Sequence, residues 1–287
     1  MKAEDVSKVG VVGCGLMGSG IVEVCARAGL GVTFVEADQE RVANGQRLIE
    51  TSLGRAVDRG KLEAGARDEA LSRIESSTDL SALADADLVI EAVIELSDEK
   101  RRVFGRLDEV TRPEVVLASN TSSIPIVDLA SVTKRPDRVL GMHFFNPPPV
   151  MGLLELVRSI ETSDETMAFA RAMGERLGKR VVVAKDRAGF IVNMLLVPYL
   201  NGAIRMFEEG FATAEDIDTA ISLGLNHPMG PLTLLDYIGL DTAMHVADVL
   251  YEEFRDPSYA PPPLLRRMVA AGRLGRKTGR GFYDYSA

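Results

Sequence analysis

Short apolar runs alternate with helical apolar stripes through the first two thirds of this chain. Apolar residues recur at helical spacing just after the first run and over residues 39–60, 66–73, 97–110 and 164–177. The runs of strand length are predicted as strands at Val9–Val12, Val32–Val35, Asp87–Glu91, Glu114–Ala118, Arg138–Phe145, Leu153–Val157 and Arg180–Ala184. This alternation predicts an α/β fold, with a mainly parallel sheet that helices cover on both faces.

The pattern changes near residue 186, beyond which only helices are predicted, at about 188–209, 213–223, 231–254 and 262–271. We therefore expect a sheet-containing domain over residues 1–185 and an all-helical domain over residues 186–287. Residues 190–207 are apolar nearly all round, which predicts a buried helix with a second subunit as one candidate cover. Pro198 lies inside this helix and is expected to kink it.

Three glycines follow the first predicted strand in the spacing G-x-G-x-x-G, as Gly13, Gly15 and Gly18. Gly13 permits a tight turn, Gly15 lets a pyrophosphate approach bare backbone, and Gly18 lets the helix pack on the strand. The helix N-terminus offers N–H groups and a partial positive charge to the phosphates. The spacing alone is weak evidence, but here a strand precedes it, a helix follows it and an acid, Glu36, ends the next strand. The sequence thus predicts a Rossmann-like dinucleotide-binding domain.

Glu36 also bears on the choice of cofactor. An acid at this position accepts hydrogen bonds from the hydroxyls of the adenine ribose, and its charge repels a 2′-phosphate. NAD is therefore favoured over NADP, although Arg41 lies close enough in the sequence to leave the alternative open.

Composition narrows the compartment and the partners. The chain has 287 residues, of which 46% are hydrophobic and 26% charged, as expected of soluble globular domains. A net charge of −9 argues against nucleic acid, and no apolar run reaches the length that spans a membrane. Cys14 and Cys25 form no disulfide framework, which favours a reducing cytoplasm. The histidines and cysteines show no metal-ligand spacing, so no metal site is predicted.

His143 is the first candidate for acid–base chemistry, because it ends an apolar strand and precedes the rigid segment Phe144–Pro149. Glu155 lies on the neighbouring predicted strand. A carboxylate beside a histidine holds it in one tautomer and stabilises the imidazolium, which suits a general base. A core histidine bonded to backbone is the competing interpretation, and these residues alone leave both open.

Two further polar features lie where a ligand could reach them. The loop Ser119–Ser123 follows the end of a strand, where α/β sheets bind ligands, but taken alone it favours a turn that caps the next helix. Asn193 is the only polar side chain between Phe190 and Pro198, and it could bond another helix or reach a cleft. The order Ser122, His143, Glu155 also fits a hydrolase triad, which is discounted because no G-x-S-x-G turn is present.

Basic residues are concentrated near the C-terminus. No acidic residue lies between Pro257 and Tyr283 to balance them. A solvated tail is the usual explanation. Our hypothesis is that part of this tract, together with a second group on the first domain, faces a highly anionic ligand. The C-terminal group comprises Arg266, Arg267, Arg273, Arg276, Lys277 and Arg280, and the second group comprises Arg55, Arg59 and Lys61.

Six segments together resemble the 3-hydroxyacyl-CoA dehydrogenases, and the bacterial 3-hydroxybutyryl-CoA dehydrogenases in particular. They are Gly13–Gly18, Ala118–Ile124, His143–Pro147, Gly189–Asn193, Pro228–Leu232 and Lys277–Tyr283. The resemblance implies a Rossmann-like domain and an all-helical domain that forms a homodimer. It implies the NAD-linked, reversible oxidation of (S)-3-hydroxyacyl-CoA to 3-oxoacyl-CoA in fatty acid metabolism.

The resemblance also assigns roles to individual residues. His143 matches the catalytic base, Glu155 its carboxylate partner, and Ser122 and Asn193 the residues that hold the substrate's 3-oxygen. Cofactor contacts are implied for Gly13, Gly15, Leu16, Met17, Gly18, Glu36, Glu95, Lys100, Asn146 and Lys277, and coenzyme A contacts for Ser52, Arg55, Arg59 and Lys61. The chain departs from the family by carrying Glu36 where Asp is usual and an additional proline, Pro148.

Two other functions remain as alternatives. Relatives of this fold oxidise sugar acids such as gulonate with the same histidine and without coenzyme A, but the basic residues at 55–61 favour an acyl-CoA. A structural protein that keeps the dinucleotide fold, as certain lens crystallins do, is the second alternative. It gives no physical reason for Ser122, His143, Glu155 and Asn193 to occur together.

Overall fold

The computed structural model describes residues 2–286. The chain forms two compact units, and the division between them falls after Arg187. The first unit contains the whole β-sheet and the second is built from helices. The predicted mainly parallel α/β arrangement, followed by an all-helical part, is confirmed.

The sheet of the first unit has eight strands in the order β3-β2-β1-β4-β5-β6-β7-β8. The strands are β1 Lys8–Val12, β2 Gly31–Val35, β3 Ile74–Ser77, β4 Leu88–Glu91, β5 Val116–Ser119, β6 Val139–Phe144, β7 Leu153–Arg158 and β8 Arg180–Lys185. All neighbours pair in parallel except β6 with β7. The edge strand β3 was not predicted, because its sequence Ile-Glu-Ser-Ser lacks an apolar run.

Helices of the first unit follow the strands much as the apolar spacing predicts. They are α1 Leu16–Arg27, α2 Gln39–Asp58, α3 Ala64–Ser72, α4 Ser97–Val110, α5 Ile126–Ala130 and α6 Asp164–Arg176. Side chains of Asp38 and Ser163 cap α2 and α6 by accepting backbone N–H groups. The five-residue α5 was not predicted, since it is too short to show a helical period.

The second unit consists of α7 Val192–Glu208, α8 Ala214–Gly224, α9 Pro231–Ile238, α10 Leu240–Phe254 and α11 Pro263–Ala270. The single helix predicted over 231–254 is wrong, because Gly239 has a φ of +99° and separates α9 from α10. Within this unit α7 is buried on one face, so burial of its other face against a second subunit stays a prediction. One face contributes Leu200 and Ile204 to the core, whereas Leu195 is 73% exposed.

Two buried aspartates hold the end of the chain in the second unit. Asp236 accepts the N–H groups of Phe282 and Tyr283, and Asp218 accepts the Tyr283 hydroxyl. Asp218 also accepts the N–H of Leu232 and so caps α9. The segment up to Tyr283 is thus part of the helical unit's framework rather than a solvated tail.

No helix among residues 2–286 is long and apolar enough to cross a membrane.

Asp87 directly precedes β4 and bonds the backbone at the start of β1. Its carboxylate accepts the N–H groups of Ser7 and Lys8 at 2.8 and 3.0 Å and a hydrogen bond from Arg112 at 2.8 Å. Burial by itself raises the pKa of Asp87, but these donors lower it below its ordinary value of 3.8. The ionised carboxylate therefore stabilises the folded chain above that pH, and this contribution is lost as the pH falls through the lowered value.

We predict that Asp87→Ala lowers the free energy of unfolding by about 1–3 kcal/mol at pH 7, because the backbone N–H groups of Ser7 and Lys8 and the Arg112 side chain lose a charged acceptor. The difference from the unaltered chain should shrink as the pH falls below 3.8, measured by urea denaturation at several pH values. Asp85→Ala is the matched control, since Asp85 pairs with Lys8 at an exposed position and should contribute little. Equal effects of the two variants would contradict the role given to Asp87.

Candidate active site

The glycine turn after β1 leaves open backbone where the sequence predicts a pyrophosphate. A Cβ added at Gly15 would meet no atom within 4 Å. At Gly13, where φ is +87°, a Cβ would lie 2.7 Å from the Ala92 carbonyl oxygen, and at Gly18 it would lie 1.8 Å from the Gly13 carbonyl oxygen. Among the described residues, no side chain caps the start of α1. The turn therefore offers both the space and the N–H donors that a pyrophosphate requires.

Glu36 stands beside this turn, directly after β2. Its Oε1 accepts the N–H of Cys14 at 2.6 Å and its Oε2 accepts the N–H of Ala37 at 3.2 Å. Burial, with a smaller contribution from Glu36, raises the pKa of the Cys14 thiol to about 12. The thiol consequently stays protonated at neutral pH, and the Glu36 carboxylate lies beside the turn as a hydrogen-bond acceptor.

A buried ion cluster lies at the ends of β4 and β5. Lys100, 1% exposed, donates to Glu91 Oε1 at 2.6 Å and to the Val93 carbonyl oxygen at 3.3 Å, and lies 3.2 Å from Glu95 Oε2. These contacts engage all three ammonium protons. Burial raises the pKa of Glu91. The predicted cofactor contact of Lys100 stays a prediction, and the geometry gives this lysine the additional task of fixing Glu95.

Glu95 in turn organises the polar loop after β5. Its Oε1 accepts the Thr121 hydroxyl, the Ser122 N–H at 3.0 Å and the Ser123 hydroxyl at 3.0 Å. Although burial raises its pKa, the charge of Lys100 and these hydrogen bonds lower the pKa below the ordinary value. The Ser122 hydroxyl makes no hydrogen bond within the part of the chain that the structure describes. The backbone of Ser122 is thus held in place, while Thr121 serves the turn by accepting the Ile124 N–H.

The alternative interpretation, a Ser/Thr-rich turn that caps the next helix, does not match the hydrogen bonds at the start of α5. The first N–H groups of α5, on Ile126 and Val127, are accepted by the carboxylate of Asp186 at 2.8 and 2.9 Å. Sequence reasoning missed this residue, because Asp186 follows the α5 region by 60 positions and no local signal connects the two.

His143 and Glu155 face each other across the antiparallel pair of β6 and β7. They are directly opposed in the register, and His143 Nδ1 lies 2.8 Å from Glu155 Oε2. His143 is 7% exposed and Glu155 is fully buried. A carboxylate at Nδ1 favours the tautomer that carries its proton on Nδ1, which makes Nε2 the nitrogen suited to exchange a proton with a ligand. Nδ1 of His143 is therefore bonded to a carboxylate rather than to backbone.

The segment after His143 is held against α1. Pro148 packs on Gly20, where an added Cβ would lie 2.6 Å from the proline ring. Lys179 donates to the carbonyl oxygens of Pro148 and Met151 at 2.6 and 2.9 Å. Asn146 opens this segment and is joined to Pro147 by a cis peptide bond. The additional proline thus occupies a packed position, and the cofactor contact of Asn146 stays a prediction.

The predicted coenzyme A residues lie on and just beyond α2. Ser52 and Arg55 belong to its last two turns, Arg59 follows its end, and Lys61 comes two residues later. All three cations are exposed. Within residues 2–286 none of them forms an ion pair, so these charges are available to an anionic ligand.

In the second unit, Asn193 lies in the first turn of α7 and Lys277 lies near the C-terminus. Lys277 donates to both carboxylate oxygens of Asp241 at 2.6 Å, which lowers the pKa of Asp241 although its burial opposes this. The neighbouring Arg276 stacks on two tyrosine rings, and Arg266 pairs with Asp248. Much of the C-terminal basic tract is therefore engaged within its own unit.

Comparison with known proteins covers nearly the whole chain. Residues 8–187 match the model of the 3-hydroxyacyl-CoA dehydrogenase NAD-binding domain, and residues 189–285 match the model of that family's C-terminal domain. A 3-hydroxybutyryl-CoA dehydrogenase of Mycobacterium tuberculosis is 54% identical over 285 residues, which cover 99% of this chain and all of the relative. The human mitochondrial hydroxyacyl-coenzyme A dehydrogenase is 44% identical, with 98% of this chain and 91% of that protein covered.

A solved structure agrees with these relatives. The crystal structure of (S)-3-hydroxybutyryl-CoA dehydrogenase from Ralstonia eutropha superposes with a TM-score of 0.93 at 48% identity, covering 99% of this chain and 100% of that one. Both family domains are thus matched in order, and the fold agrees over their full length. On this evidence, the chain belongs to the NAD-dependent 3-hydroxyacyl-CoA dehydrogenase family.

Proposed function

We propose that this protein interconverts (S)-3-hydroxyacyl-CoA and 3-oxoacyl-CoA with NAD, and that 3-hydroxybutyryl-CoA is its substrate. The His143–Glu155 pair is the observation that supports this function best, since it supplies a base for an alcohol at the end of the sheet where α/β folds bind ligands. The names of relatives at 44–54% identity support the choice of acyl-CoA.

The first unit suits NAD on structural grounds. The residues proposed to hold it are those of the glycine turn, namely Gly13, Gly15, Leu16, Met17 and Gly18, together with Glu36, Glu95, Lys100, Asn146 and Lys277. The open backbone at Gly15 and the uncapped start of α1 fit a pyrophosphate. When bound, NAD supplies the hydride acceptor for the carbon that bears the hydroxyl.

His143 is the proposed general base. In the oxidative direction its Nε2 takes the proton of the 3-hydroxyl, and in the reductive direction it returns that proton to the 3-oxygen. Glu155 stabilises the imidazolium, because its carboxylate accepts the Nδ1 proton in a buried position. Ser122 and Asn193 are proposed to donate hydrogen bonds to the 3-oxygen, which polarises the carbonyl in reduction and orients the alcohol in oxidation.

The direct test is oxidation of NADH by acetoacetyl-CoA, compared with longer 3-oxoacyl-CoAs, with gulonate in the reverse direction, and with NADPH. We expect turnover with acetoacetyl-CoA and NADH, and little with NADPH because Glu36 repels a 2′-phosphate. Turnover of gulonate without activity on acetoacetyl-CoA would replace this proposal by the sugar-acid alternative.

We predict that His143→Gln lowers kcat by about 10²–10⁴-fold, the contribution of positioned general acid–base catalysis. NADH binding, followed by fluorescence titration, should be unchanged because the ring is not assigned to the cofactor site. His245→Gln is the matched control, as His245 is an exposed histidine of α10. A His143→Gln enzyme with near-normal kcat would show that another group moves the proton.

The exposed cations at 55–61 are proposed to bind the phosphates of coenzyme A. We predict that neutralising Arg55, Arg59 and Lys61 together raises the KM for acetoacetyl-CoA by roughly tenfold, given the modest worth of exposed charge pairs. The effect should weaken as salt is added, because exposed charges are screened.

Arg47→Gln provides the control for that variant, since Arg47 lies on the same helix and already bonds Asn44. Its KM should stay unchanged. The neutralised variant should keep its kcat at saturating substrate, and a KM equal to that of the unaltered enzyme would exclude these cations from the coenzyme site.

A homodimer formed through the helical unit is also proposed. Leu195 and Met206 lie on one face of α7, eleven residues apart, and are 73% and 42% exposed. Phe211 and Leu223 add apolar side chains that are 78% and 81% exposed. Such exposure favours a protein interface.

The reducing cytoplasm remains the proposed compartment, in keeping with the two buried free thiols.

We predict that Leu195→Asp weakens self-association by roughly 10²- to 10⁴-fold, because a two-fold interface loses about 1.5–3 kcal/mol of apolar burial twice. Sedimentation velocity across a concentration series measures this. Ile160→Asp, at a position of the first unit that is 87% exposed, should leave the association unchanged. An unaltered dimer with Leu195→Asp would move the interface elsewhere.

A further inference from the structure

The side chain of Asn120 continues the pairing of β5 with β6 beyond the point where the backbone ladder ends. The parallel register stops at Ser119, opposite Gly141. One residue later the Asn120 N–H still donates to the Glu91 carbonyl oxygen of β4 at 2.8 Å. On the other side, its Oδ1 accepts the N–H of Phe144 at 2.8 Å. The Asn120 amide oxygen thus accepts an N–H of β6, as the backbone carbonyl oxygens of β5 do earlier in the strand.

The residue that receives this support adjoins the proposed base. The N–H of Phe144 belongs to the peptide unit that begins at the carbonyl of His143, and Phe144 is 1% exposed. A buried N–H at this position needs an acceptor, which Asn120 provides. The imidazole is therefore held by Glu155 from the β7 side, while its main chain is held by Asn120 from the β5 side.

The same arrangement lets the backbone of β5 leave the sheet. After Asn120 the loop is hydrogen-bonded to Glu95, which accepts the Ser122 N–H at 3.0 Å. A β5 that stayed paired through residues 121 and 122 would keep Ser122 in the sheet. Because a side chain replaces the missing backbone acceptor, β6 stays ordered up to Phe144 while the loop departs.

From this geometry we infer that Asn120 is a positioning residue, whose side-chain oxygen fixes the peptide that carries His143 so that its ring is aligned for proton transfer. The inference rests on the proposed role of His143 as the base. Asn120 acts through that residue and takes no part in holding substrate. Its contribution should therefore appear in the chemical step and not in the binding of either reactant.

The test compares Asn120→Leu, which lacks an acceptor at nearly the same size, with Asn120→Asp, which retains one. The single-turnover rate of NADH oxidation by acetoacetyl-CoA should fall about 10- to 100-fold in Asn120→Leu, as expected for a misplaced catalytic group, while the KM values stay near normal. Asn120→Asp should recover most of the rate. In a His143→Gln background, Asn120→Leu should have almost no further effect, because the two residues act as one unit.

Thr162→Val is the matched control, because its hydroxyl bonds the Val139 carbonyl oxygen at 2.7 Å, at the far end of the same strand. It should cost stability and leave the single-turnover rate unchanged. If Asn120→Leu does not fold, Asn120→Ala takes its place in every comparison.

A normal rate in Asn120→Leu or Asn120→Ala beside an inactive His143→Gln would overturn this inference and leave the proposed function standing. Equal losses in the Asp and Leu variants, or additive losses with His143→Gln, would likewise overturn it. An active His143→Gln enzyme would remove the proposed function and this inference with it.

Discussion

The antiparallel pairing of β6 with β7 is the constraint on which the site depends. In this register His143 and Glu155 stand directly opposite each other, and a slip of one residue would turn Glu155 to the other face of the sheet. Close packing holds the register, since an added Cβ at Gly141 would lie 2.7 Å from Val157 Cβ. All other neighbouring strands are parallel, so this is the one junction of the sheet where two successive strands pair without a crossover.

Buried charge supplies the second constraint. Glu91, Lys100 and Glu95 form a chain of contacts that links the end of β4 to the loop after β5. Moving a charged group from water into the protein interior is costly unless it is paired and hydrogen-bonded there. Loss of any one of the three side chains therefore leaves buried charge uncompensated. The lysine has used its donors within the protein, and Glu95 is held ionised. The loop that carries Ser122 is therefore tied to this buried cluster through Glu95.

Much of the fold could be predicted from the sequence, at the positions where the local pattern agrees with the long-range structure. The glycine turn and the helices after it follow from apolar spacing and from the freedom of Gly13, which has a φ of +87°. The edge strand β3 and the short α5 escaped because neither shows a period. The break at Gly239 escaped because apolar spacing continues across it. Asn120 and Asp186 escaped for another reason, since each acts on backbone groups far along the chain.

Glu36 shows how an acid one methylene longer than aspartate is accommodated beside the glycine turn. With its additional methylene, the carboxylate reaches the Cys14 N–H at 2.6 Å while its second oxygen accepts the Ala37 N–H. A carboxylate has about four acceptor sites, so two donors leave capacity for the ribose hydroxyls. The carboxylate remains beside the glycine turn, where the proposed function has it disfavour a 2′-phosphate. The longer side chain therefore braces the turn and keeps acceptor capacity for the proposed ribose contact.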